Sequence, residues 1–208
     1  MTASVPSSET RWWWVRHAPI AAPNQGLING QRDVAADVSD GARLARLAAA
    51  IPQDAHWLAS PLVRTHQTAA ALGRGMEGVS IEPAFAEQHF GDWQGLTWDE
   101  VASDGQAAAF WADPGRGVPP GGENFAEQIA RVGRAVGRIG PEHAGGDVVV
   151  VAHAGTIRAA LAGALGLEAA SALSIQIETL SLSRIDQILA SGPRRGGGWR
   201  VACVNRLL

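Results

Sequence analysis

Two histidines and two arginines in this chain stand where chemistry on an anion could be done. His17 follows Arg16 at the end of the short bulky run Arg11-Trp12-Trp13-Trp14-Val15, and His153 ends a second apolar run, Asp147-Val148-Val149-Val150-Val151-Ala152. Between them, Ser60-Pro61-Leu62-Val63-Arg64 follows a third run, His56-Trp57-Leu58-Ala59. Imidazole can attack an electrophile or carry a proton, and guanidinium forks grip phosphate in bidentate fashion. All 17 basic residues are arginine, so any phosphate site here must be built from arginine forks, histidines and backbone amides. A histidine ending a strand is by itself more often structural than catalytic. The weight lies in the combination.

The apolar runs read as buried strands that deliver polar side chains at their carboxyl ends. Ser39 or Asp40 caps a helix through Leu44, Leu47 and Ile51. Helical spacing returns over residues 62–73, with Ser60 as a possible N-cap and Gly73 as a stop, and Val79-Ser80-Ile81 reads as a short strand. A long insertion over 87–122 is irregular apart from a helix from Trp98 to Trp111 and a Pro/Gly-rich loop from Pro114 to Gly122. A helix over Glu123 to Ile139 leads into the valine run, and another begins near Gly155. Two further strands are expected at Ile175 to Ser183 and Trp199 to Val204, separated by a turn over Gly192 to Gly198. Strands alternating with helices predict an α/β fold of three layers, α/β/α, with a mostly parallel central sheet. Sites in such sheets gather at the carboxyl ends of the strands. Residues 1–10 read as a disordered leader and 11–208 as a single domain.

At 208 residues the chain can bury a core without a metal or disulfide staple, and its single cysteine, Cys203, has no partner. Lacking a secretory signal and an apolar run of membrane-spanning length, it is expected in a reducing, cytoplasmic compartment. The net charge of -3 gives no basis for binding nucleic acid or an anionic membrane. The expected partner is a small molecule.

Arg16-His17-Ala18, Ser60-Pro61-Leu62-Val63-Arg64-Thr65-His66-Gln67-Thr68-Ala69, Glu87-Gln88-His89-Phe90-Gly91-Asp92-Trp93-Gln94-Gly95, Gly121-Gly122-Glu123 and Val151-Ala152-His153-Ala154-Gly155 occur in one order. That series resembles the histidine phosphatase superfamily, the phosphoglycerate mutase-like family, over nearly the whole chain after residue 10. The resemblance implies the phosphoglycerate mutase-like fold and a phosphomonoester substrate hydrolysed through a phosphohistidine. It maps the nucleophile to His17, phosphate-binding roles to Arg16, Arg64 and His153, and the acid and base to Glu87. Ala18 stands where glycine is commoner. A phosphoryl group in transfer spreads charge over three oxygens, which a fixed shell of donors stabilises. A helix N-terminus just after His153 would add backbone amides. No metal or other cofactor is implied.

Within the family the segment from Phe110 to Glu123 is most similar to small phosphatases of the alpha-ribazole and broad-specificity type. A cofactor-dependent phosphoglycerate mutase is the alternative, but Gln88 stands where mutases usually place arginine, and that segment contains only Arg116. A noncatalytic binder of phosphorylated ligands is a further alternative, against which His17 and Glu87 are both present. His56, His66 and His143 read as structural or solvated. His89 is open between pocket and packing, Arg158 between support of a phosphate-site loop and an ordinary surface role, and Asn24 and Gln31 lie in a loop of uncertain alignment. Trp12, Trp13 and Trp14 read as core, and Trp93, Trp98 and Trp111 as cover for the pocket. Small members of the family are monomers or homodimers, and nothing in the periodicity chooses between them.

Overall fold

The computed structural model describes residues 9–103, 105–189 and 197–208. The elements run β1 (Glu9–Arg16), α1 (Gly41–Ala50), β2 (His56–Ala59), α2 (Val63–Ala71), β3 (Val79–Ile81), α3 (Trp98–Ala102), α4 (Ala107–Ala112), α5 (Phe125–Glu142), β4 (Asp147–Ala152), α6 (Ala154–Leu165), α7 (Ala169–Leu173), β5 (Leu182–Ile188) and β6 (Gly198–Arg206). They build one six-stranded sheet in the order β3-β2-β4-β1-β5-β6. β3, β2, β4 and β1 are parallel neighbours, whereas β5 and β6 join antiparallel.

Alternation along the central strands explains the three layers, since successive side chains of a strand point to opposite faces. Trp12, Trp14, Val148 and Val150 pack with Phe125, Val132, Ile157 and Leu161 of α5 and α6. Val15, Val149 and Val151 pack on the other face with Leu44, Leu47, Ala69 and Leu72, in or beside α1 and α2. Strands buried on both faces read as unbroken apolar runs, as the valines of β4 do. Trp12 and Trp14 are core, as expected, while the half-buried Trp13 donates its indole N–H to Asp147 Oδ1 at 2.8 Å. Local signals set the helix starts: Asp40 accepts from Arg43 N before α1, and Asn124 with Glu127 forms a capping box before α5.

Several boundaries differ from the sequence expectations. β1 begins at Glu9, so Glu9 and Thr10 belong to the sheet rather than to a leader, and residues 1–8 lie outside the described residues. The single helix expected over Trp98–Trp111 is two short ones, α3 and α4. A capping box of Thr97 and Glu100 starts α3, and the Ser103 hydroxyl, turned back onto Glu100 O, ends it. Ser60 is not the cap of α2; its hydroxyl is drawn into the site described below. The strand expected at Ile175–Ser183 starts at Leu182 instead, because the backbone carbonyls of Ile175 and Ile177 are taken by Arg158 and Arg16. Helix α7 was not anticipated. Of the turn over Gly192–Gly198, residues 192–196 lie outside the described residues, and Gly198 opens β6. The insertion has a small core of its own, Val101, Ala107 and Phe110 around Trp93, closed by Ile28 from the loop after β1. Among the described residues no helix is long and apolar enough to cross a membrane.

Candidate active site

Register brings the two strand-end histidines together. Arg16 of β1 pairs with Ala152 of β4, so the next residue on each strand, His17 and His153, emerges at the same carboxyl edge. His17 N donates to Ala152 O at 2.9 Å, and the two imidazole rings meet edge to face with centroids 5.1 Å apart. β2 ends beside them, with Ala59 opposite Val151, and places Ser60 in the same row. Three parallel strands thus deliver His17, Ser60 and His153 to one point.

Hydrogen bonding assigns the protons of both rings. His17 Nδ1 lies 2.6 Å from Ala18 O, and since a carbonyl can only accept, Nδ1 carries the proton and Nε2 keeps its lone pair. Burial, then the charges of Arg64 and Arg16, push the His17 pKa down to about 3, against the opposing pull of the Ala18 carbonyl. The ring is neutral at ordinary pH, as a nucleophile must be. His153 Nδ1 accepts from Arg64 Nε at 3.2 Å, leaving the proton on Nε2, which donates to Ser60 Oγ at 2.7 Å. Burial and the neighbouring Arg64 hold His153 well below the usual histidine range. Both of its nitrogens are thus spent on protein partners, so it would donate to a phosphate only if Arg64 Nε or Ser60 released it.

Arg64 is one of the largest fully buried side chains of the molecule. Its Nη1 and Nη2 donate to Arg32 O at 2.8 Å and Gly30 O at 2.6 Å, which fixes the guanidinium plane while leaving one N–H on each terminal nitrogen. Burial lowers its pKa to about 10, still charged at neutral pH, with the carboxylates of Glu87 and Asp33 opposing the shift. Arg16 donates Nη1 to Ile177 O at 2.6 Å, but its buried Nε has no partner among the described residues. Buried donors are almost always paired, so an orphaned guanidinium N–H beside His17 fits an anion.

Glu87 arrives from the insertion. Its carboxylate accepts from Gln88 N at 3.0 Å, from Gln128 Nε2 at 3.3 Å and, at the start of α6, from Gly155 N at 3.3 Å. The helix N-terminus expected to meet phosphate therefore holds the carboxylate instead, which suits the positive end of the helix equally well. Its main chain is also clamped, Glu87 O accepting from Gln31 Nε2 and Arg131 Nη2. Arg131 in turn pairs with Glu123 at 2.6 Å. Gly155 leaves room for this approach, since a Cβ there would displace the Glu87 carboxylate and the Gln128 amide from their present positions.

A cleft of about 250 Å³ is lined by Arg16, His17, Arg64 and Glu87 with Asn29, Gly30, Phe90 and Trp98. Four of the five residues picked out from the sequence thus face one space, and His153 stands behind His17 and Arg64. His89 turns away: its Nδ1 accepts from Gly91 N and it lines a separate surface groove. His66 donates to Ser60 O, and His56 stacks on His143 with centroids 4.2 Å apart, in agreement with their structural reading. Sequence reasoning missed Ser60 as a partner of His153 and Gln128 as a partner of Glu87. Ser60 stands within the motif and could have been found there, whereas Gln128 is a lone buried amide on α5 with no local signal.

Comparison with known proteins shows the family to which the chain belongs. The family model of the histidine phosphatase superfamily (branch 1) matches residues 12–204. Glucosyl-3-phosphoglycerate phosphatase of Mycolicibacterium vanbaalenii is 36% identical over 166 residues, 74% of this chain and 73% of that one. Adenosylcobalamin/alpha-ribazole phosphatase of Salmonella typhi is 29% identical over 185 residues, 85% of this chain and 90% of that one. Three longer mycobacterial relatives are each 33% identical over 172 residues, and the chain spans about half their length, 45%. Among solved structures, the one titled mycobacterial hydrolase 1 superposes with a TM-score of 0.79 at 26% identity, covering 95% of this chain and 99% of that one. By its motifs, its sheet and this match over nearly its full length, the chain belongs to the histidine phosphatase superfamily.

Proposed function

We propose that the protein is a phosphatase that hydrolyses small phosphomonoesters through a covalent phosphohistidine on His17. The observation that carries this reading is the Nδ1–H of His17 held on Ala18 O, which leaves a neutral Nε2 lone pair on a ring that shares its cleft with the buried Arg64 and the half-buried Arg16. In the first step Nε2 attacks phosphorus, the bond from phosphorus to the ester oxygen breaks, and the departing oxygen takes a proton from Glu87. In the second, Glu87 takes a proton from water, the water oxygen attacks phosphorus, and the electron pair of the N–P bond returns to Nε2. Arg16 and Arg64 neutralise the equatorial oxygens in both steps, and a single carboxyl serves as acid and then base. His153 orients Arg64 and packs against the nucleophile's ring.

The reading takes a small phosphorylated metabolite as substrate, with alpha-ribazole phosphate and glucosyl-3-phosphoglycerate as candidates from the relatives' names. It includes a cytoplasmic location, in keeping with the lone Cys203, and a monomer or homodimer. Release of inorganic phosphate from a panel of esters, with EDTA present and His17→Ala as control, tests it. Acid-labile, base-stable phosphate trapped on His17 after rapid quenching is the expected result. Full turnover by His17→Ala would overturn it.

A further inference from the structure

A second space opens beside the phosphate cleft, on the far side of Glu87. It measures about 300 Å³, and its walls include Phe90, Trp98, Phe110, Trp111, Phe125 and Leu173. Trp98 and Trp111 stand on the two short helices α3 and α4, with ring centroids 5.3 Å apart, yet are 41% and 51% exposed. Phe90 meets Trp98 edge to face at 5.7 Å and lines both spaces, as do Trp98 and Glu87. Two adjacent exposed indoles at the mouth of an apolar pocket are a surface that gains by being covered.

Polar groups are few here, and most are spent. Gln88 Nε2 donates to Glu123 O, and the Glu87 carboxylate already accepts from Gln88 N, Gln128 and Gly155 N. Arg158 is the remaining charge on the wall. Its Nε donates to Ile175 O, and its terminal nitrogens have no partner among the described residues. A sugar placed in this pocket would bury several hydroxyls against aromatic carbon with one guanidinium to answer them, and each unpaired hydroxyl costs binding energy. A flat ring system loses nothing there and gains stacking and edge contacts.

We propose that this pocket holds the alcohol part of the substrate and selects phosphomonoesters whose alcohol carries an aromatic one- or two-ring body, with one hydrogen-bond acceptor for Arg158, over sugar phosphates. The size is at the lower end for small-molecule sites, roughly 300–1,000 Å³, which suits a body of that dimension. The inference rests on the phosphatase reading for the place of the ester and deepens it by naming the substrate class.

The test compares 2-(2-naphthyl)ethyl phosphate with ethyl phosphate and glucose 6-phosphate, all esters of primary alcohols, so that differences in chemistry at phosphorus stay small. The naphthyl ester is expected to exceed both others in kcat/KM by on the order of tenfold to a hundredfold, the effect of burying its rings. In Trp111→Ala the ratio of naphthyl to ethyl ester should fall several-fold. Equal kcat/KM for the three esters, or preference for glucose 6-phosphate, would overturn the pocket assignment while leaving the phosphatase standing. Affinities of His17→Ala for the same esters, measured by calorimetry, separate the two readings. No turnover by wild type together with at least tenfold tighter binding of the naphthyl ester would sink the phosphatase and keep the pocket. Equal affinities would sink the pocket.

Discussion

Ser60 Oγ and His153 Nε2 lie 2.7 Å apart, and because Arg64 Nε takes the other ring nitrogen, this contact settles which tautomer His153 adopts. Its effect reaches Arg64 through the ring. Replacing Ser60 by alanine leaves a buried N–H without a partner, which costs about 1–3 kcal/mol. Urea denaturation of Ser60→Ala should show that loss. Its kcat should fall roughly tenfold as the His153 ring loses one of its two anchors and loosens against Arg64 Nε and the His17 ring, while Ser60→Thr keeps most of both.

Leaving-group chemistry tests Glu87. An alkoxide needs a proton as it departs, whereas a nitrophenolate does not, and general acid catalysis contributes roughly 10²–10⁴-fold. Glu87→Gln should therefore lower kcat/KM for alkyl phosphates at least a hundredfold and change it little for p-nitrophenyl phosphate. Rapid mixing of the variant with that ester should give a burst of one nitrophenol per site followed by slow turnover, because water then attacks the phosphohistidine without its base. Equal losses on both esters would remove Glu87 from the acid role.

Gly155 gives an independent handle on the same carboxylate. A methyl at this position meets Glu87 Oε1 and the Gln128 amide at the start of α6, so Gly155→Ala displaces the carboxylate oxygen that Gln88 N and Gln128 hold. The expected outcome is a loss of roughly tenfold or more in kcat/KM for alkyl phosphates, with phosphate affinity retained. Inhibition by inorganic phosphate, measured alongside turnover, separates the two.

The orphaned Arg16 Nε predicts that phosphate stabilises the fold. A ligand present at a hundred times its Kd adds about 2.7 kcal/mol, enough to raise the melting temperature by several degrees. Arg16→Ala should lose most of that rise, and a scan of Tm against phosphate concentration reads it directly.

Acid should destabilise the protein through its buried imidazoles. His17 titrates at about 3 when folded but near 6.5 when unfolded, and His153 is shifted the same way. The unfolded chain therefore binds more protons below about pH 6.5, and stability falls as pH drops through that window towards 3, by about 1.4 kcal/mol per pH unit for each histidine. Above pH 6.5 this contribution is fully present. Denaturation at pH 5 and pH 7 should show a smaller acid loss in His17→Ala than in the wild type, by about one proton's worth of slope.

The strand ends at His17 and His153, the Ser60-to-Ala69 motif and Glu87 before the Phe-Gly stretch were legible in the sequence. Such features are written in consecutive residues: an unbroken valine run marks a strand buried on both faces, and Asp40 and Asn124 mark helix starts by local hydrogen bonds. Only the tertiary structure decided what those residues touch. That His153 spends both ring nitrogens within the protein, that the start of α6 serves Glu87, that Gln128 and Arg131 hold the carboxylate segment, and that Trp98 and Trp111 flank one pocket all depend on contacts between distant parts of the chain. Strand register and helix packing set these contacts. No local pattern encodes them, because each partner alone is an ordinary amide, glycine or surface aromatic until the sheet brings the other within reach.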